Sequence, residues 1–162
     1  MERELIRRSS IQLVGLQVRT SNRQEMQPET AKIAKLFGEY LQKNISTKIS
    51  HLVQPLVIFS VYTDYDSDEH GEYTYFIGQE VSILSSVPEG LHVLNIPASN
   101  YQKFTVPAGP MPSVVVEAWQ KIWKMTPKEL GGTRAYQADF EIYDERASDP
   151  ANTSLDIYIS ML

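Results

Sequence analysis

The sequence predicts an α+β fold made of two β-α-β-β halves related by a pseudo-twofold axis, with antiparallel sheets, one helix per half and a ligand cleft between the halves. Three observations carry that expectation. First, Phe59-Ser60-Val61-Tyr62, followed by Ser67-Asp68, returns as Phe140-Glu141-Ile142-Tyr143, followed by Ser148-Asp149, each match lying 81 positions on (59 to 140). Second, each half contains one proline-opened segment with apolar residues at helical spacing. Third, the other apolar segments are short, β-branched and bounded by polar, glycine or proline-rich connections. The pseudo-repeats cover about 11–84 and 90–162, and residues 1–162 are expected to form one domain.

In chain order, Ile11 to Thr20 alternates Val14, Leu16 and Val18 against Gly15 and Gln17, as a half-buried strand does. Pro28 and Glu29 open a helix in which Ile33, Leu36, Phe37, Tyr40 and Leu41 recur at i, i+3, i+4, i+7 and i+8. Leu56 to Tyr62 and Tyr73 to Leu84 read as strands joined by the polar Asp64 to Gly71 connection. In the second half, Leu91 to Val106 is strand-like but interrupted by Pro97. Gly109-Pro110-Met111-Pro112 then breaks the chain before a helix with Val115, Trp119, Ile122 and Trp123 on one face, although Val114-Val115-Val116 is a β-prone run. Gly131-Gly132 turns the chain into a strand from Arg134 to Tyr143, and Ser154 to Met161 closes the half after the polar Asp144 to Asn152 connection.

Composition removes several function classes. With 20 Asp and Glu against 15 Lys and Arg, the acidic balance argues against nucleic acid or an anionic membrane as partner and favours a cationic ligand. The chain has no Cys, which excludes disulfides, thiolate nucleophiles and sulfur-ligated metals. No apolar run is long enough for a secretory signal or a bilayer span, so a cytoplasmic location is expected. His51, His70 and His92 are scattered without ligand spacing. Asp64, Asp66 and Asp68 match the opening of a calcium loop, but Glu69 stands where that loop needs glycine and Tyr75 where it needs glutamate. Neither a nucleophile elbow nor a glycine-rich phosphate loop occurs, and no cofactor is expected.

The chemistry concentrates on Glu141, the one carboxylate that distinguishes the second motif from the first, where Ser60 stands. Strand alternation sends Ala138, Phe140 and Ile142 one way and Asp139, Glu141 and Tyr143 the other. With the apolar set facing the helix, Glu141 would lie on the face that the helix of its own half leaves open. There a carboxylate among aromatic rings would retain its charge best beside a cation. Tyr143 shares its face, and Tyr158, alternating against Leu155, Ile157 and Ile159, is expected to join it. Phe76 is the counterpart of Tyr158 when Tyr73-Thr74-Tyr75-Phe76-Ile77-Gly78 is aligned with Leu155-Asp156-Ile157-Tyr158-Ile159-Ser160, and would form the opposite wall. Trp119 is a further pocket-lining candidate, although an aromatic stripe at helical spacing is more often core. Against all of this stands the plain alternative that Glu141 is solvated, as most glutamates are.

The run Gly131-Gly132-Thr133-Arg134-Ala135-Tyr136-Gln137-Ala138-Asp139-Phe140-Glu141-Ile142-Tyr143-Asp144, the Asp156-Ile157-Tyr158-Ile159 strand and the Tyr73 to Val81 strand resemble the effector-binding domain of AraC-type regulators, the GyrI-like small-molecule-binding family. The resemblance runs from about Ile11 to the C-terminus. It implies a pseudo-twofold fold whose cleft takes amphipathic cationic drugs and dyes, with the glutamate of the Phe-Glu-x-Tyr strand, here Glu141, as charge partner. It also implies Tyr143, Tyr158 and Trp119 as the aromatic lining, whose positions vary among members. Many members serve transcription regulation through a fused DNA-binding domain. None is read in this chain, which is more similar to stand-alone, integron-cassette members that would sequester or sense a ligand. The expected protein is therefore a non-enzymatic binder of an amphipathic cation, without nucleic-acid or membrane contact, its partners otherwise open to a homodimer or a separate regulatory protein. The resemblance also admits a small-molecule hydrolase with Glu141 as general base, or a gyrase-inhibitor-like protein-interaction module.

Overall fold

Eight strands pair into one antiparallel sheet in the computed structural model, which describes residues 1–162. They are β1 (Glu2–Arg8), β2 (Ile11–Ser21), β3 (Ile58–Thr63), β4 (Glu72–Glu80), β5 (His92–Ile96), β6 (Ser99–Gly109), β7 (Ala138–Tyr143) and β8 (Thr153–Met161). The spatial order is β1-β6-β8-β7-β3-β4-β2-β5, so the two sides run outward from the central β3–β7 pair as β4, β2, β5 and as β8, β6, β1. Four α-helical segments accompany the sheet: α1 (Asn22–Glu25), α2 (Ile33–Gln42), α3 (Ser113–Lys124) and α4 (Pro127–Leu130). No helix is long and apolar enough to cross a membrane.

The connections force the sheet to curl. In a flat sheet, β1 and β2 would lie six strand spacings apart, about 29 Å. Only Ser9 and Ser10 join them, and two residues bridge about 11 Å at most. The same holds for β5 and β6, joined across the sheet by Pro97 and Ala98 alone. Curling encloses one face. Its apolar cluster draws on all eight strands and on no helix, yet Leu13, Val61, Phe76 and Phe140 are wholly buried within it. Gly15 and Gly78 face each other across β2 and β4, where a Cβ on either would strike the opposing backbone at 1.9 or 2.3 Å.

The other face carries the two long helices. The stripe Ile33, Leu36, Phe37 and Tyr40 seats α2 against Val14, Tyr73, Tyr75 and Ile77 of β2 and β4. Val114, Ala118, Trp119 and Ile122 seat α3 against Phe104, Val106, Leu155, Ile157 and Ile159 of β6 and β8. Each helix covers its own side of the sheet, and a gap remains between them over the central strands.

Several boundaries differ from expectation. The strand β1 precedes Ile11, where the first strand is expected, and lies in a segment for which no element is expected. It is an edge strand paired on one side by β6, and its mostly exposed, charged side chains carry no burial pattern. The helix expected to open at Pro28 begins at Ile33, because the Glu25 carboxylate accepts the backbone N–H groups of Lys32 and Ile33 at 2.7 Å and caps the helix from outside. The third strand of the first half, β4, ends at Glu80, not Leu84, and the strand expected from Arg134 begins at Ala138. Pro97 does interrupt its segment, at the crossing from β5 to β6. The Val114-Val115-Val116 run is helical: Val114 and Ala118 pack inward on the apolar stripe, so tertiary burial outweighs β-propensity.

Candidate functional site

Between α2 and α3 lies a cavity of about 630 Å³, floored by β3, β4 and β7. Phe37 of α2 and Val115, Trp119 and Trp123 of α3 form its sides, and Ser60, Tyr62, Tyr75, Glu141 and Tyr143 its floor. The rings support one another: Tyr62 meets Trp119 edge-on with centroids 5.1 Å apart, and Phe37 meets Tyr143 at 5.4 Å. Trp119 is buried while Trp123, one turn on, is 38% exposed.

Glu141 is 2% exposed. The Tyr62 hydroxyl (2.9 Å) and the Trp119 indole N–H (2.6 Å) donate to its Oε1, and the Tyr143 hydroxyl (2.6 Å) donates to its Oε2. All three donors are uncharged, and no Lys, Arg or His pairs with Glu141. Burial raises the Glu141 pKa above the ordinary carboxyl value of 4.5, and the hydrogen bonds from Tyr143, Trp119 and Tyr62 pull against that shift. Burial, reinforced by the adjacent Glu141 charge, also pushes the Tyr62 and Tyr143 hydroxyls well above the ordinary phenol range, so both remain protonated donors. Ser60 is the cross-strand partner of Glu141 and hydrogen-bonds the Tyr75 hydroxyl at 2.8 Å.

Three expectations about this site need correction. Glu141 lies on the helix-covered face and is bonded by Trp119 of the helix of its own half; Ala138 and Phe140 face the curled interior instead. Alternation separates the two sets of side chains, but both faces of this sheet are buried, and the face enclosed by curling is the one that demands the wholly apolar set. Tyr158 pairs with Phe140 across β7 and β8, stacks on its ring at 4.8 Å and carries the Arg8 guanidinium 4.9 Å from its own centroid, all on the face away from the cavity. Phe76 is likewise in that interior cluster, on the strand whose Tyr75 reaches the cavity. The strand pairing also corrects their alignment: Ser60 opposes Ile77 and Glu141 opposes Ile157, making Asp156 the counterpart of Phe76.

Of the five residues singled out, Glu141, Tyr143 and Trp119 come together in the cavity. Tyr62, Tyr75 and Phe37 were not anticipated. Tyr62 had a readable signal, because it is the first-motif equivalent of Tyr143. Phe37 lay on the recognised helical stripe, but its neighbour across the cavity could not be read from its own segment. Arg134 also lines the cavity, its charge committed to Asp139 at 2.7 Å.

A curled antiparallel sheet with two helices flanking an aromatic, carboxylate-floored cavity is the architecture of a small-molecule effector-binding protein. The chain belongs to the Cass2 family of integron-associated effector-binding proteins, whose model matches residues 4–161. It is 31% identical over 147 residues to the Bacillus subtilis (strain 168) protein YobU, named as a candidate transcriptional regulator, covering 91% of this chain and 89% of YobU. Among solved structures it is similar to the integron cassette protein VCH_CASS2 from the mobile metagenome of Vibrio cholerae, with a TM-score of 0.78 and 25% identity over 99% of this chain and 95% of that one. It shares the fold of SAV2435, solved bound to tetraphenylphosphonium, with a TM-score of 0.76 and 18% identity over 100% of this chain and 94% of that one.

Proposed function

We propose that this protein binds amphipathic cations without transforming them, holding the ligand against the tyrosine and tryptophan rings of the cavity with Glu141 as charge anchor. The observation that carries the reading is the state of Glu141: a carboxylate buried to 2% exposure with three neutral donors and no cation of its own. A buried anion without a counterion is costly, and a cationic ligand would offset that cost on entering. The Tyr62, Trp119 and Tyr143 rings would add about 0.5–2 kcal/mol per well-placed ring through their π-faces, and apolar contact would add to this. The tetraphenylphosphonium bound by SAV2435 belongs to the same chemical class.

The geometry favours binding over hydrolysis. Tyr62, Trp119 and Tyr143 fill three of the about four acceptor positions of the Glu141 carboxylate, which suits a fixed negative charge better than a base that must take up a proton through the one position left on Oε2. We take residues 1–162 as one cytoplasmic effector-binding domain of two related halves. The motif offset of 81 relates Ser60 to Glu141, and these residues also oppose each other on β3 and β7, so the pseudo-twofold axis would pass through this pair. A site on such an axis takes a single carboxylate by departing from symmetry, which spares it the repulsion of two.

The test is a tryptophan-fluorescence titration with a lipophilic cationic dye and its neutral isostere. Glu141→Gln is expected to weaken the cation about a hundredfold and to leave the neutral compound nearly unchanged. Equal loss for both compounds would reject the anchor, and no binding of either would reject the function.

A further inference from the structure

We infer that the cavity has a second cation subsite at Glu69 and accommodates an elongated lipophilic dication with one charged end at Glu141 and the other at Glu69. This rests on the reading of Glu141 above and extends it to the ligand's shape. Besides Glu141, two carboxylates line the cavity, Glu25 and Glu69. Glu25 is committed: its oxygens take the backbone N–H groups of Lys32 and Ile33 and the Thr20 hydroxyl. Glu69 differs. Its Oε2 accepts the Tyr136 hydroxyl, while its Oε1 has only the largely exposed His70 at 3.9 Å, beyond hydrogen-bond reach. The Glu69 side chain is 25% exposed, so it can meet a ligand without leaving the wall.

A continuous tyrosine wall joins the two carboxylates. Tyr62 bonds Glu141; Tyr62 contacts Tyr73 at 5.6 Å, Tyr73 contacts Tyr65 at 5.9 Å, and Tyr65 contacts Tyr136 at 5.6 Å, where the Tyr136 hydroxyl meets Glu69. Tyr62, Tyr73 and Tyr65 all line the cavity. Tyr136 sits in the left-handed backbone region at φ 51°, uncommon for a bulky residue, and in that conformation holds its hydroxyl on Glu69. Arg134 stands 4.2 Å from the Tyr136 centroid but is paired with Asp139, leaving Glu69 without a hard counterion. A chain with an ammonium group at each end could lie along these rings and meet an acidic group at both ends.

Decamethonium and decyltrimethylammonium share one alkyl chain and differ in the second charge, which makes them the probes. Calorimetric titration of the native chain should give tighter binding for decamethonium. Glu69→Gln, which keeps a hydrogen-bond acceptor for Tyr136, should weaken decamethonium about three- to tenfold and change decyltrimethylammonium by less than about twofold. If decyltrimethylammonium binds in a Glu141-dependent way and Glu69→Gln leaves the difference between the probes intact, the second subsite is wrong and the anchor stands. If decyltrimethylammonium binds but is indifferent to Glu141→Gln, or if neither probe binds, the anchor reading falls and this inference falls with it.

Discussion

Asp139 and Glu141 sit two residues apart on one face of β7, both buried, and their surroundings differ completely. Asp139 pairs with Arg134 at 2.7 Å and also accepts from the Tyr65 hydroxyl, the Ser160 backbone N–H and the Ser160 hydroxyl. Glu141 receives three neutral donors and no charge. Asp139 is a closed structural node linking β7, β8 and the Tyr65 wall, with its counterion supplied from within the chain. Glu141 has comparable burial but no such counterion, and it faces the cavity. Burial of a carboxylate is thus uninformative about function until its charge partner is identified.

Asp139 should therefore matter most for stability and Glu141 for binding. The largest effect is expected for Asp139→Asn, which strands Arg134 in the interior. Urea unfolding should reveal a loss of about 3–5 kcal/mol. A loss below about 1 kcal/mol would erase the distinction between the two carboxylates.

Acid should act on ligand binding through Glu141. Its pKa is raised by burial, so protonation removes the anchor at a higher pH than for an ordinary carboxyl. Below the raised value, cation affinity should fall about tenfold per pH unit while a neutral isostere is unaffected. A flat cation profile across the acidic range would contradict the assignment.

A smaller effect concerns stability. With its folded pKa raised, Glu141 binds its proton more tightly in the native state than in the unfolded chain. That contribution is fully present below the unfolded pKa near 4.5 and is lost as pH rises through the folded value. Glu141→Gln should therefore raise the neutral-pH Tm by about 2–5 °C and flatten the fall in stability over that window. An unchanged or lower Tm, with the pH slope retained, would mean that the buried charge imposes no cost.

The smallest change is expected for Tyr143→Phe. Removing this donor takes away a hydrogen bond that lowers the Glu141 pKa, so the pH at which cation affinity is lost should move upward. The affinity at neutral pH should change by only about two- to fivefold. A downward movement of the midpoint would contradict a donating role for the Tyr143 hydroxyl.

Much of this architecture could be read along the chain, because helix and strand periodicities are local. The order of strands after β1 and most of the α2 stripe followed from spacing within single segments, and Glu141 from the repeat at an offset of 81, whereas α3 buries Val114 and Ala118 beside Trp119 and Ile122 and leaves Trp123 of the expected face 38% exposed. What escaped was long-range. The strand β1 is held by backbone pairing to β6, which leaves no mark in a charged edge segment. Tyr158 and Phe76 were misplaced because alternation distinguishes two faces without saying which one the curl will enclose. The Asp139 node was unreadable in part for a similar reason: Tyr65 and Ser160 come from separate segments, and Arg134, though near in sequence, lies before β7 and not on the strand expected to carry it.

The most direct test of the central claim is a calorimetric titration of the native chain and Glu141→Gln with tetraphenylphosphonium and tetraphenylborate, ions of nearly the same shape and opposite charge. The native chain is expected to bind the cation and to discriminate strongly against the anion, and Glu141→Gln to remove most of that discrimination. Equal affinity of the native chain for both ions, or discrimination undiminished in Glu141→Gln, would contradict that claim.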